Sequence, residues 1–372
     1  MKISTTRRRT LTTAAATVAA GSLVLTGCSN SNSGDSEGGT TSESSYELSD
    51  TQGELRGEGA SSQQKAMEQF GVSYSSSVPG AVLAYNATGS GAGQKQFIAD
   101  QVDFGGSDSP LDEEQAAAAA KRCEDNPAWH LPMVVGPVAV AFHLDGVDDL
   151  NLSVDTVAKI FKGDIRNWND EAIAAENEGV DLPDQPIDVL YRAEESGTSD
   201  NFQSFLKTAT DGLWEDEGKT FPTRVGSGAQ GSSGVADQVK ATNGSITYVE
   251  SGFATANDLG IANLDFGAGP TELNAETVNK ALDQVAFSGE GNDLVVDSEA
   301  LFGMKEEGAY PLALTTYEIV CSAGYDEETG ARVKDFLHTI LDNQNDQLEE
   351  AGYIPLSGSF KEKLETAVDA LQ

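Results

Sequence analysis

From about Gly53 the chain alternates short β-like apolar runs with longer stretches of helical periodicity. Gly53 to Arg56, Val82 to Tyr85 and Val102 to Phe104 read as strands, and Ser61 to Phe70, Gly91 to Ala99 and Asp112 to Arg122 read as helices between and after them. Met133 to Leu144 is a long apolar run interrupted by Gly136-Pro137. Further helices are predicted at Val154–Phe161, Asp200–Lys207, Val235–Ala241, Ala275–Phe287 and Asp326–Leu341, and strands at Ile187–Tyr191, Ser245–Val249 and Leu312–Cys321. Regular alternation of β and α segments predicts an α/β fold with mainly parallel sheets. No internal repeat is visible, and 372 residues suit two domains rather than one core.

The N-terminus breaks this pattern. Lys2, Arg7, Arg8 and Arg9 precede an Ala- and Thr-rich apolar stretch from Leu11 to Leu25, then Thr26-Gly27-Cys28. A basic start, a short apolar run and small residues at a cut site predict a secretory signal over residues 1–27. The run is too short and too rich in Thr for a membrane span. Leu25-Thr26-Gly27-Cys28 resembles the bacterial lipobox, which implies a lipid on Cys28 and a chain held at the outer face of the cell membrane. The arginines also resemble a twin-arginine export signal, so the export route stays open. Residues 28–49, mostly Ser, Gly, Thr, Asn and acids, cannot bury a core and are expected to form a disordered tether.

Charge narrows the partners. The chain carries 60 Asp+Glu against 23 Lys+Arg, a formal net of −37, and residues 1–27 contribute four of those bases and no acid. Such a surface repels nucleic acid and anionic lipid. It serves solubility, or life in a salty or alkaline medium. Beyond Cys28 two cysteines remain, Cys123 and Cys321, and an even pair outside the cytoplasm predicts a disulfide. With three His and no Cys-x-x-Cys, no metal site or cofactor is expected.

The candidate chemistry lies at the β-to-α junctions. Gly57-Glu58-Gly59-Ala60-Ser61-Ser62, Thr88-Gly89-Ser90-Gly91-Ala92-Gly93 and Arg192-Ala193-Glu194-Glu195-Ser196-Gly197-Thr198-Ser199 each follow a β-like run and lead into a helix. Phe104-Gly105-Gly106-Ser107-Asp108-Ser109-Pro110 is a related turn. Unpaired N–H groups at a helix start, the helix dipole and Ser/Thr hydroxyls suit an anion. One such junction is ordinarily a cap and a turn. Several, one with an Arg, predict a pocket holding an oxyanion by neutral dipoles and one fixed cation. No Gly-x-Ser-x-Gly elbow, Walker A loop or His-Glu-x-x-His is present, and His130 and His143 are read as structural.

These junctions, with Ile160 to Trp168 and Gly244 to Glu250 in the same order, resemble the phosphate-binding proteins of high-affinity phosphate importers, the PstS family. The resemblance runs from about Gly53 to Leu356. It implies a type II periplasmic-binding-protein fold, two α/β lobes with a hinge and a ligand cleft, here 50–134 plus 255–372 and 135–254. It also implies a monomeric, non-enzymatic receptor that binds inorganic phosphate and passes it to the membrane permease subunits of an ABC importer. Carried over position by position, Ser61 and Ser62 touch phosphate from the first loop, where many relatives have Thr-Phe. Ser90 donates from the second helix start. Asp108 accepts a hydrogen bond from the ligand, and Arg192 makes the charged contact. Ser196, Gly197 and Thr198 supply hydroxyl and backbone donors. Glu194 pairs with Arg192, one methylene longer than the family's usual Asp. A sulfate or molybdate receptor and a secreted hydrolase are the competing readings. The expected acid at Asp108 argues against the first, and the missing nucleophile motif against the second. An acidic surface-interaction protein is a third.

Overall fold

A computed structural model describes residues 44–372. The signal segment, Cys28 and the tether up to residue 43 lie outside the described residues.

Strand β1 (Gly53–Gly59) leads to helix α1 (Gln64–Ser77), β2 (Ala81–Asn86) to α2 (Ser90–Ile98), and β3 (Phe104–Ser107) to α3 (Glu113–Arg122). These strands pair in parallel, β1 between β2 and β3. A strand leaving the same sheet edge each time delivers each helix start to that edge, which is the repeated consequence of a parallel β-α unit. Asp112 closes a capping box with Gln115 at the start of α3, satisfying N–H groups the helix itself leaves open.

The next strand, β4 (Ala128–His143), is long, and it is buried without a break from His130 to Phe142. Gly136-Pro137 does not end it. Ala128 to Pro137 pairs with β12 (Ala313–Cys321), and Val138 to His143 pairs with β8 (Ser245–Glu250). The change of partner falls at Pro137, which has no N–H to lose from the ladder. Then follow β5 (Asn151–Ser153), α4 (Val154–Lys162), α5 (Glu171–Glu176), β6 (Asp188–Arg192), α6 (Gly197–Ala209), β7 (Ser227–Ala229), α7 (Gly231–Ala241), β8 (Ser245–Glu250) and α8 (Ser251–Ala256). Here β6 pairs in parallel with β7 and with β8, so α6 and α7 also start at one edge.

Short strands β9 (Gly260–Ile261), β10 (Asn263–Asp265) and β11 (Pro270–Thr271) come next. Strand β9 pairs with Ala141 and Phe142 in the far half of β4, and β10 pairs with β5 in a separate small sheet. Helices α9 (Ala275–Leu282) and α10 (Ser298–Phe302) precede β12, and α11 (Glu327–Asp342), α12 (Asp346–Glu350) and α13 (Gly358–Asp369) complete the chain. The large sheet has the order β2-β1-β3-β12-β4-β8-β6-β7, with β9 on β4. It is mixed: two parallel flanks are joined through the antiparallel strands β12 and β4. The expectation of mainly parallel pairing holds for the flanks alone. Strands β4 and β12 are buried on both faces, a pattern that does not reveal strand direction.

The Cys123–Cys321 disulfide joins the end of α3 to the last residue of β12, with Cα atoms 5.4 Å apart. Residues 44–49, expected within the tether, instead lie along α11 and α13. The Tyr46 ring stacks on His338 at 4.2 Å, its hydroxyl donates to Glu365, and the Ser49 amide donates to Asp335. Tyr46 and Leu48 give this end of an otherwise Ser-rich segment enough apolar surface to dock. Among the described residues no helix is long and apolar enough to cross a membrane.

Candidate functional site

The starts of α1, α2, α6 and α7 meet the turn after β3 at the C-terminal edges of the parallel flanks. Ligands of open α/β sheets sit at such edges, where neighbouring strands send their chains in different directions. Two charged side chains anchor the place, both nearly free of solvent exposure: Asp108 just beyond β3 and Arg192 at the end of β6.

Asp108 accepts three hydroxyls. Ser62 Oγ and Thr316 Oγ1 donate to Oδ1 at 2.6 and 2.7 Å, and Ser90 Oγ donates to Oδ2 at 3.3 Å. The Asp108 amide donates back to Ser90 Oγ at 3.1 Å. Burial, and next the charge of Glu250, push its carboxyl up to about 6, against the pull of the Ser62 and Thr316 hydroxyls and Arg192.

Arg192 is spent on every side. Its Nε donates to Glu194 Oε1 at 2.7 Å, and Nη2 reaches the same oxygen. Nη1 donates to Thr198 Oγ1 and to Ser232 Oγ, each at 3.1 Å, and Nη2 donates to Ser61 Oγ at 2.7 Å. The guanidinium therefore reaches out from β6 to α1, α6 and α7 together. Its fork of fixed donors is the geometry that grips an oxyanion at two points. Glu194 also accepts from the Gly231 amide at 3.1 Å.

Gly197 opens α6 where nothing larger fits. A Cβ there would lie 2.4 Å from Ser90 Oγ and 2.5 Å from Asp108 Cβ. The start of α6 thus comes into backbone contact with the turn that carries Asp108. The Asn201 amide group donates to the Asp108 carbonyl at 2.7 Å, and the Gly91 amide donates to the Glu195 carbonyl at 3.0 Å.

The expected residues Ser61, Ser62, Ser90, Asp108, Arg192, Gly197 and Thr198 are brought together here, with Glu194 on Arg192. Ser196 is placed differently: its hydroxyl accepts from the Ser199 amide and caps α6. The Thr198 hydroxyl, expected to donate to an anion, donates to Glu250 Oε1 at 2.6 Å. Three further residues belong to the site. Ser232 accepts from Arg192 and donates its amide to Ser61 Oγ at 3.0 Å. Its run Gly231-Ser232-Ser233-Gly234 has the same small polar composition as the other junctions. Thr316 sits inside apolar β12, and Glu250 ends β8; neither carries a local signal. His130 is structural, accepting from the Leu111 amide at 3.0 Å and facing Asp293 at 2.8 Å. No group of acids, His and Cys able to hold a metal ion occurs among the described residues.

Helix starts, hydroxyls and one guanidinium gathered at the meeting edges of two α/β flanks form the arrangement expected of a solute-binding protein. Residues 44–343 match the model of the PBP superfamily domain. The chain is 44% identical over 359 residues to the phosphate-binding protein PstS3 of Mycobacterium bovis, covering 95% of this chain and 96% of that one. It is 30% identical to the phosphate-binding protein PstS of Xylella fastidiosa, covering 92% and 93%. Among solved structures, a high-affinity periplasmic phosphate-binding protein determined with bound phosphate superposes with a TM-score of 0.69 at 24% identity, over 84% of this chain and 93% of that one. The chain belongs to the PstS family of phosphate-binding proteins and has its type II periplasmic-binding-protein fold.

Proposed function

We propose that this chain is the extracytoplasmic receptor of an ABC phosphate importer. It binds inorganic phosphate between Asp108 and Arg192 and delivers it to the permease subunits. Family membership supports the class, and one observation carries the ligand: a buried carboxyl group, Asp108, lines an anion cradle. Phosphate near neutral pH keeps a proton that such a group accepts. Sulfate keeps none and would bring unpaired like charges together. Arg192 supplies the charged grip, with its net charge offset by Glu194.

The two flanks are proposed to be two lobes that close on the ligand. Sheet pairing favours a first crossing at Pro137 in β4 and a return after residue 265, since residues 260–265 pair with β4 and β5 and Leu294 is back beside His130. Lipid attachment at Cys28 is proposed to hold a monomeric receptor at the membrane.

Titration calorimetry on residues 29–372 tests the ligand. Phosphate is expected to bind far more tightly than sulfate at fixed ionic strength, with arsenate between. Equal affinity for phosphate and sulfate would overturn the assignment, and turnover of a phosphomonoester would point to a hydrolase instead. The anchor is tested by Cys28→Ala, which is expected to move the processed protein from the membrane fraction to the medium. Continued membrane association of that variant refutes the lipid.

A further inference from the structure

Glu318 sits in the middle of β12, fully buried, and neither oxygen of its carboxyl group has a hydrogen-bond partner among the described residues. An ionised carboxylate left in that state would be strongly destabilising. Its cross-strand partner on β3 is Gly106. The space a side chain would take at Gly106 is filled by two others: a Cβ there would lie 2.3 Å from Tyr85 Oη and 2.5 Å from Gln63 Nε2. Gln63, the cap residue of α1, is the polar side chain that reaches Glu318.

The direction of the neighbouring hydrogen bonds decides where a proton must be. The Ala60 carbonyl can only accept, and the Tyr85 hydroxyl donates to it at 2.8 Å. With its proton used in this way, the Tyr85 oxygen accepts from Gln63 Nε2 at 3.0 Å. That bond commits the nitrogen of the Gln63 amide. The amide oxygen, Oε1, is buried and has no donor among the described residues. Glu318 can supply one only as the protonated acid. One proton then satisfies both orphaned groups: Glu318 donates to Gln63, Gln63 to Tyr85, and Tyr85 to Ala60.

The surroundings favour the neutral acid. Burial holds the Glu318 carboxyl well above the ordinary range; Gln63 pulls it down, Asp108 on the turn after β3 pushes it up, and no cation is among the groups acting on it. Tyr85 on β2 is raised by burial and stays a neutral phenol. Tyr353, after α12, is raised by burial too and gives its hydroxyl to the Ser62 carbonyl at 2.7 Å. On the β4 side the partner is Leu131, which offers neither charge nor hydrogen bond.

We propose that Glu318 is a protonated carboxylic acid at neutral pH, whose proton closes this chain and holds the Ala60-Ser61-Ser62 turn at the start of α1. It is a positioning residue, since it touches Gln63 and no anion. Its bearing on phosphate rests on the function proposed above, while the proton itself does not, so the two can fail separately. In the unfolded chain the same group ionises in the ordinary range, so folding takes up a proton at any pH between that range and the folded value. The stability this gives is fully present at low pH and fades as pH rises, until the folded carboxyl ionises and the chain loses its donor.

Infrared spectroscopy of the phosphate-free protein reads the proton directly. At about pH 8, well above the Asp108 value of about 6, the wild type is expected to show the carbonyl band of a protonated carboxylic acid that Glu318→Gln lacks. A wild-type spectrum without such a band overturns the proposal. Glu318→Gln keeps a donor and has no proton to lose. Relative to it, the wild-type folding equilibrium constant is expected to fall roughly tenfold per pH unit from about pH 5 through neutrality. A ratio that stays flat with pH also overturns the proposal. Near neutral pH, Glu318→Leu and Tyr85→Phe cut the chain at two points. Each should weaken phosphate binding several-fold, the double variant no more than Glu318→Leu alone, and Glu318→Gln should restore it. Unchanged affinity in Glu318→Leu, or equal loss in the Gln and Leu variants, would refute the positioning role. If neither replacement of Glu318 folds, the wild-type spectrum decides: an acid band that persists into alkaline solution supports the proposal, and its absence sinks it. A wild type that shows the band yet binds no phosphate keeps the proton and overturns the phosphate assignment alone.

Discussion

At the scale of single residues, Asp108 and Arg192 should fail in different ways. Arg192→Ala removes a desolvated cation that serves any oxyanion, so phosphate, arsenate and sulfate should all weaken, by roughly 2–5 kcal/mol for phosphate. Asp108→Asn keeps the shape and replaces a pure acceptor by a group that also donates. Phosphate should weaken modestly, and the phosphate-to-sulfate affinity ratio should fall. The ratio measured in both variants separates grip from discrimination, and an unchanged ratio in Asp108→Asn would remove Asp108 from the specificity argument.

The same carboxyl carries a pH signature in the ligand-free protein. Its pKa is about 6 in the folded chain against 3.8 for an ordinary aspartate. The folded state therefore holds the proton more tightly, and the stability this gives is present at low pH. It is lost as pH rises through about 6, up to about 3 kcal/mol in total. Asp108→Asn does not titrate. Denaturation midpoints of the two proteins should thus lie nearest at about pH 4, move apart up to about pH 6 and keep a constant gap above it, with the Asn variant gaining relative to wild type. A gap that does not change with pH would mean that the buried acid is better compensated than its surroundings indicate.

At the scale of elements, the helix starts were readable because their composition serves the site directly. Ser61-Ser62, Gly89-Ser90 and Ser196-Gly197-Thr198 are small and polar where a core helix has no need to be. The run Gly231 to Gly234 obeys the same rule, but its strand β7 is three residues long and too short to mark a junction. Thr316 was illegible for a different reason. It is one hydroxyl in a strand buried along its whole length, and only the antiparallel register against β3 brings it to Asp108. The direction of β4 and β12 was hidden likewise, since a strand covered on both faces shows no alternation. The close approach of α6 to the Asp108 turn gives an element-level test. Gly197→Ala puts a methyl group 2.4 Å from Ser90 Oγ, so α6 must retreat from its partner. Overpacking of this kind costs roughly 1–3 kcal/mol, and the cost should appear as at least a several-fold loss of phosphate affinity. A variant with wild-type affinity would show that this contact plays no part in binding.

At the scale of the whole molecule, the Cys123–Cys321 disulfide spans 198 residues of sequence, and everything from β4 to β12 lies inside its loop. Cross-linking so long a loop restricts the unfolded chain, so reduction or a Cys123→Ser/Cys321→Ser pair should lower the unfolding free energy by roughly 2–5 kcal/mol. Urea denaturation with and without reductant measures this, and mass spectrometry of the unreduced protein should find no free thiol at either position. Phosphate affinity should change little, because neither cysteine is among the residues gathered around Asp108 and Arg192.

Strand β4 holds the Asp108 side of the sheet through β12 and the Arg192 side through β8, with no loop where the partners change. Val138, the first residue past the change, is braced as well: its amide donates to the Leu312 carbonyl, and its own carbonyl accepts the Tyr310 hydroxyl at 2.8 Å. Any rotation of one side against the other must therefore wind this strand instead of swinging on a slack joint. The crossing behaves as a torsion spring, with a restoring torque that grows with the angle. Its resting angle is set by the backbone and its load by the few contacts across the cradle. If the two sides close as proposed, how long the molecule stays shut is set by those contacts, and how far it springs apart on release by a strand outside the cradle.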